Sequence, residues 1–183
     1  CQLGNTNLAS NLQRLLCDAW LMVYRYSVCS RLRHSVYSKY CMRIAISTSP
    51  LSSGHKTRGV GVYTRELIAA LKKNKSVSIH EFSHIREIPK EVDLVHFTNF
   101  DPFFITLPLF MKKPFVVTVH DLIPLVFPEH FPRGIRGEFK WQIQKWNISH
   151  AARIITDSIN SKNDVVKILH RSCKDKSFAI ASN

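Results

Sequence analysis

The sequence predicts an α/β protein built on a parallel β-sheet with helices on both faces. Three observations predict it. Short apolar runs alternate with longer segments whose apolar residues recur every three to four positions, giving the rhythm strand, helix, strand, helix. That rhythm calls for parallel strands joined by right-handed crossovers. The run Phe115–Val119 is β-branched and apolar with no polar alternation, as a strand covered on both faces must be. Finally, 183 residues with a 45% apolar fraction suffice for one domain with its own core.

Taken in order, Arg43–Thr48 is a short buried strand, and Ser49–Arg58 is a polar loop bearing proline and glycine. A helix opens at Gly59. Val60, Tyr63, Leu67 and Leu71, with Ile68 and Ala70 beside them, form its apolar stripe. Lys72, Lys73 and Lys75 close it at the negative end of its dipole. Val77–Phe82 alternates, which suits a second strand near an edge, and Ser83–Glu91 is a polar connection. Val92–Phe97 is a third strand ending in Thr98 and Asn99, and Pro102–Phe110 reads as a mostly apolar helix too short to cross a membrane. Pro114–Val119 is the fourth strand and stops on His120 and Asp121. The loop Leu122–Phe131 holds two prolines and many apolar residues, so a fixed shape is expected of it.

Gly134–Ala152 is a long helix with two apolar stripes. Ile135, Phe139, Ile143 and Trp146 make one, and Trp141, Ile148 and Ala152 the other. Arg136, Lys140, Gln144 and Asn147 occupy the remaining face. Arg153–Thr156 is a fifth strand. Ser161–Asp164 is a capping-box-like start, with Asp in place of the usual Glu, for a helix carrying Val165, Val166, Ile168 and Leu169. Ser177–Ala181 is a sixth strand.

The formal net charge is +13, from 26 Lys+Arg against 13 Asp+Glu, which favours anionic partners such as phosphates, nucleic acid or an acidic membrane face. Four of the five cysteines lie in the first 41 residues and no CxxC pair exists, so a zinc site has no support and the main body reads as a reduced, cytoplasmic protein. Residues 1–41 lack a clean targeting pattern, and Met42 reads like a natural start followed at once by a strand. Residues 1–41 are therefore read as upstream translation or a fusion scar. The rival is an amphipathic extension lying on a membrane.

Two motifs carry chemistry. After the first strand, Gly59 and Gly61 let a backbone approach phosphate at a helix N-terminus, with Arg58 and Lys56 adding charge. The spacing is neither the dinucleotide fingerprint, whose third glycine position is Thr64 here, nor a P-loop. The plain alternative is a helix start that tolerates glycine. His120 and Asp121 are the sharper signal, because ligands of open α/β sheets bind beyond the carboxyl ends of strands. The imidazole can bond a sugar hydroxyl or relay a proton, with Asp121 orienting it or capping the next segment. The alternative is a buried histidine bonded to backbone and an Asx turn before Pro124. His96, Thr98 and Asn99 either line the same crevice or make a strand-end turn. Trp141 and Trp146 stack on a sugar, sit at a lipid interface, or pack in the core. No metal set is assigned, and the absence of a GxSxG elbow leaves acyl hydrolysis without support.

MRIAISTSP with TRGVGVYTRELIAAL, then VDLVHFTNF, PFVVTVHDLIPLVFPE and ARIITDSINSKNDVVKIL, resemble in that order the N-terminal domain of family 4 glycosyltransferases, over Met42–Asn183. The resemblance implies a retaining enzyme of the GT-B fold, with two Rossmann-like domains and an active site in the cleft between them. Residues 42–183 would be the acceptor-side domain. The donor-binding domain, with its paired glutamates and basic residues on the leaving diphosphate, has no counterpart in these residues. By the resemblance, Gly59 and Gly61 lie near the donor phosphates, His120 approaches the transferred sugar, and Ser158 and Ser161 mark the passage from the fifth strand into its helix. The co-substrate is a nucleotide-diphosphate sugar and no cofactor is implied. The acceptor is a saccharide, a lipid-linked molecule or a small molecule. Nucleic acid is not an expected partner, and peripheral contact with the inner membrane face is. The competing reading is a non-enzymatic basic α/β module for nucleic acid or membrane. A nicotinamide oxidoreductase fails on the glycine spacing and on Phe82 and Ser83, where an acidic residue would end the second strand.

Overall fold

The computed structural model describes residues 42–52, 54, 56–169 and 178–180. The expected extension, 1–41, lies outside the described residues. The chain divides into two compact units, Cys1–His96 and Phe97–Asn183.

The first unit contains β1 (Met42–Ser47), a single turn α1 (Ser49–Ser52), α2 (Gly59–Lys72), β2 (Val77–Phe82) and most of β3 (Leu94–Phe97). Its strands run in the order β2-β1-β3, and both pairings are parallel. Met42 pairs with Val77 and Ile44 with Leu94. The expected edge strand is β2, whose residues are largely accessible, whereas Ile44, Ala45 and Ile46 of β1 are completely buried. Helix α2 buries Gly61, Thr64, Leu67, Ile68 and Leu71. The inward stripe is thus rotated by one residue at its start relative to Val60 and Tyr63, which are half-buried. Thr64 is tolerated there because its hydroxyl donates to the Val60 carbonyl at 2.8 Å. Arg43 grips Asp93 with its guanidinium, at 3.1 Å from Nη2 to Oδ1, while its backbone N–H reaches Oδ2 at 2.9 Å. This tie fixes the entry into β3 beside the start of β1.

The second unit contains β4 (Phe115–Val119), a short turn α3 (Ile123–Val126), α4 (Gly134–Ile148), β5 (Arg153–Thr156), α5 (Ile159–Leu169) and β6 (Phe178–Ile180). The order is β4-β5-β6, again parallel, with Val116 opposite Arg153 and Ile154 opposite Phe178. Every residue of β4 and of β5 is buried. Side chains alternate between faces along a strand, so full burial means that both faces are covered. The chain is a Rossmann-like α/β fold, as its sequence predicts.

Two segments differ from expectation. Residues 102–110 form no helix. Pro108, inside the run, removes a backbone donor and clashes with the preceding turn. The Asp101 carboxylate accepts instead from the N–H groups of Phe103 (2.7 Å) and Phe104 (3.1 Å). The second difference is α4, which ends at Ile148 and buries Trp141, Gln144, Asn147 and Ile148. Ile135, Phe139 and Trp146 of the expected stripe point outward, Ile143 is half-buried, and two amides point inward. The cause is the irregular segment itself, whose buried backbone needs partners. Gln144 Oε1 accepts from Leu107 N–H at 3.2 Å and from the Thr106 hydroxyl at 3.1 Å. Gln144 Nε2 and Asn147 Nδ2 both donate to the Leu107 carbonyl, at 3.4 and 3.3 Å.

Replacing Gln144 with Leu should therefore destabilise the fold by about 1–3 kcal/mol although it adds apolar volume, because Leu107 N–H is stranded. Urea denaturation tests this, and an unchanged midpoint would contradict the role given to the amide. A milder effect is expected of Glu87. Backbone N–H groups of Ser83 and His84 donate to its carboxylate, at 2.8 and 3.1 Å, and hold it below its ordinary acidity range. A depressed folded value stabilises above the unfolded carboxylate's titration and is lost as pH falls through the folded one. Wild type and Glu87→Gln should accordingly converge in thermal stability on acidification and differ at neutral pH.

Candidate functional site

The candidate site is built at the carboxyl ends of β4 and β5, where an α/β sheet presents its loops to ligands. His120 is the first residue beyond β4. Its ring lies between two acceptors, with Nε2 at 3.1 Å from the Thr98 carbonyl and Nδ1 at 3.2 Å from Asp157 Oδ2. A carbonyl and a carboxylate can only accept, so the ring serves these contacts as an N–H donor from whichever nitrogen carries the proton. It acts as a clasp joining the residue after β3 to the residue after β5. The His120 side chain is only 12% exposed, whereas that of Asp157 is 42% exposed.

Asp157 is the residue that sequence reasoning missed. Of the two roles expected of Asp121, the structure shows the cap: its Oδ1 accepts from Ile123 N–H at 3.2 Å, an Asx turn that starts α3 ahead of Pro124. Neighbouring residues on extended backbone point to opposite sides, so adjacency in sequence carried the imidazole away from Asp121. The signal for Asp157 was its position, one residue past the fifth strand.

Ser158 and Ser161 complete the cluster. Ser158 Oγ accepts from Ser161 N–H at 3.1 Å, which makes it the N-cap of α5, and the two hydroxyls lie 2.8 Å apart. The N-cap of α5 thus lies three residues ahead of Ser161, the first residue of the expected Ser161–Asp164 box. Ser161 Oγ also faces Asp157 Oδ1 at 3.1 Å and donates to the His120 carbonyl. One hydroxyl therefore links the end of β4, the carboxylate on the imidazole and the first turn of α5.

The other expected residues fall as follows. Thr98 is completely buried and contributes its carbonyl, and Asn99 is half-buried beside it. His96 is completely buried inside β3, paired in register with Ile46, so it belongs to the core rather than to an accessible wall. Arg58, Gly59 and Gly61 lie in the first unit. Arg58 is the N-cap of α2 in an extended conformation, and its donor-only side chain cannot receive the N–H groups of the first turn. A Cβ added at Gly59 would meet nothing within 4 Å. Neither Gly59 nor Gly61 has positive φ, so no backbone strain demands glycine at either position. Among the described residues, no group of three His, Cys, Asp or Glu is placed to hold a metal ion. No helix of the described residues is long and apolar enough to cross a membrane.

If Ser158 and Ser161 act as one unit, removing either hydroxyl should cost about 1–2 kcal/mol of stability. The double replacement by Ala should cost less than the sum, with a coupling of about 0.5 kcal/mol or more. Strict additivity in a double-mutant cycle would refute the shared network.

Neither the curated proteins nor the solved structures compared with the chain gave a match. The model of Glycosyltransferase Family 4 does match, over residues 76–174. The matched span starts after α2, so it leaves out Gly59 and Gly61. It takes in Thr98, His120, Asp157, Ser158 and Ser161, which is the whole hydrogen-bonded cluster at the strand ends. With more than half of its length inside that match, the chain belongs to Glycosyltransferase Family 4.

Proposed function

We propose that this chain supplies the acceptor-side domain of a retaining GT-B glycosyltransferase. The enzyme would move a sugar from a nucleotide-diphosphate donor to a saccharide, lipid-linked or small-molecule acceptor. The observation that carries this reading is the family match over the segment holding the His120 cluster. In the proposed reaction the bond from the anomeric carbon to the leaving diphosphate breaks, and a bond to the acceptor oxygen forms on the same face. The acceptor proton passes to the departing phosphate oxygen. The nucleotide sugar is the co-substrate, and no cofactor is assigned.

In this reading His120 serves as a hydrogen-bond donor whose ring is held in place by Thr98 and Asp157. A sugar hydroxyl reaches the cluster through the exposed edge of Asp157, whose second oxygen already orders Ser161. Fixed charges and dipoles aimed at developing charge account for a large share of catalysis in such sites. Asp121 shapes the loop after His120 by starting α3. Arg58 and the N–H groups of Gly59 and Gly61 bring positive charge to the donor phosphates, which is what a helix N-terminus does best. A second domain would provide the donor pocket.

The test is made on the enzyme with both domains present, using a panel of nucleotide sugars. Replacing His120 with Ala should lower turnover about a hundredfold or more. Loss of its contacts with Thr98 and Asp157 should lower stability by only about 1–3 kcal/mol, too little to unfold the protein at 25 °C. Unchanged turnover would sink the assignment of His120. The product's anomeric configuration, read by NMR, should equal the donor's, and inversion would rule out retention. Residues 42–183 alone should transfer no sugar, and turnover by that segment would overturn the two-domain reading. Gly59→Ala gives an independent readout. The open space at Gly59 predicts equal or higher melting temperature together with a raised KM for the donor.

A further inference from the structure

The outer edge of β2 is a feature of the first unit that the proposed reaction leaves unused. Strand β1 covers one side of β2, and among the described residues no strand covers the other. The carbonyls of Ser76 and Phe82 accept from the N–H groups of Met42 and Thr48 on the β1 side, at 3.0 and 2.8 Å. Backbone groups alternate in direction along a strand, so those of Val77, Ile79 and Glu81 point away from β1. The Asn74 carbonyl takes the Val77 N–H at 3.2 Å. The N–H and C=O groups of Ile79 and Glu81 stand on the open edge.

Proteins ordinarily protect such an edge by keeping the strand short, by placing Pro or Lys on it, or by bulging it. Strand β2 has 6 residues, as many as any other described strand. Its sequence, VSIHEF, holds neither Pro nor Lys. Its pairing with β1 runs without a bulge from Met42 and Val77 to Ser47 and Phe82. Its one carboxylate, Glu81, is engaged by Lys72 of α2 at 2.6 Å.

The edge is complementary to itself. Across a two-fold axis perpendicular to the sheet, Ile79 faces Glu81 of a second copy and Glu81 faces Ile79. Each of these pairs exchanges both of its N–H···O=C bonds. His80 then meets His80 of the second copy at the axis, in the closer, non-hydrogen-bonded position. The neighbouring register, with Ile79 facing itself, calls on the Val77 N–H that Asn74 already holds. In the favoured register the Glu81 carboxylates face isoleucines rather than each other, so no carboxylates repel across the pair. Antiparallel pairing also sends the carboxyl ends of β1 in the two copies in opposite directions, which leaves them open to ligands.

We propose that two copies of the chain join through β2, antiparallel about this axis, so that the sheet of the first unit runs on from one copy into the next. The inference stands apart from the proposed reaction, because Ile79, His80 and Glu81 take no part in the His120 cluster.

Sedimentation equilibrium of the full chain, from about 1 μM to about 1 mM, tests this. Wild type should pass from the mass of one chain to that of two as concentration rises. Ile79→Pro removes an N–H that points away from β1, so it leaves the β1 ladder whole. It should keep its circular dichroism and associate about tenfold or more weakly. His80 is exposed, so changes there read the register without loss of the fold. His80→Lys and His80→Glu should each associate about two- to fivefold more weakly than wild type, and an equal mixture of the two should associate more tightly than either alone. If Ile79→Pro loses its fold, the mixture decides by itself. A monomer at every concentration would overturn the proposal, as would a mixture no tighter than its components or a dimer that folded Ile79→Pro leaves intact. Growth beyond the dimer would overturn it in favour of open head-to-tail assembly.

Discussion

The arrangement at the strand ends depends on the two acceptors that hold His120. Parallel strands end with backbone groups that no ladder completes, and buried groups of that kind must find partners. Here the imidazole takes the carbonyl of Thr98, and Ser161 takes the carbonyl of His120 itself. Asp157 stands on the other side of the ring, with its second oxygen 3.1 Å from the Ser161 hydroxyl oxygen. The residues following β3, β4 and β5 are thereby joined through side chains. The chemistry open to a ligand is what this network leaves over: the exposed edge of Asp157 and the half-buried Asn99.

The strands were legible because dense Val and Ile runs of strand length have few other uses, and β4 and β5 are buried along their whole length. Helix α2 was legible for the complementary reason: a 3.6-residue period that ends on lysines. The position of His120 followed from the strand before it. Its partner did not, because Asp157 lies 37 residues further along the chain and only the pairing of β4 with β5 brings it near. His96 shows the opposite error. It sits near a strand end in the sequence, yet the strand continues past it and the packing around β3 closes over it.

The misread segments share a cause. Residues 102–110 and α4 were judged by apolar periodicity, which is blind to where the backbone's hydrogen bonds go. Once Pro108 keeps the first segment irregular, its buried Leu107 amide group must be met by side chains, and Gln144 and Asn147 are turned inward to meet it. The apolar stripe on the far side of α4 is then forced to the surface. Its aromatic residues and its flanking cations are the by-product of that requirement, and they give the domain a face of distinct character.

The inward amides also bear on how the chain reaches its fold. Helix α4 has two faces able to pack, one greasy and one containing amides. In an early, loosely collapsed chain the greasier face has the stronger claim on the core, since hydrophobic contact is non-directional. Only when the segment around Leu107 arrives does the native rotation of the helix gain its hydrogen bonds. Gln144 and Asn147 thus act as a proofreading key. They reject a helix rolled half a turn about its own axis, an error that burial of Ile135, Phe139 and Trp146 would reward.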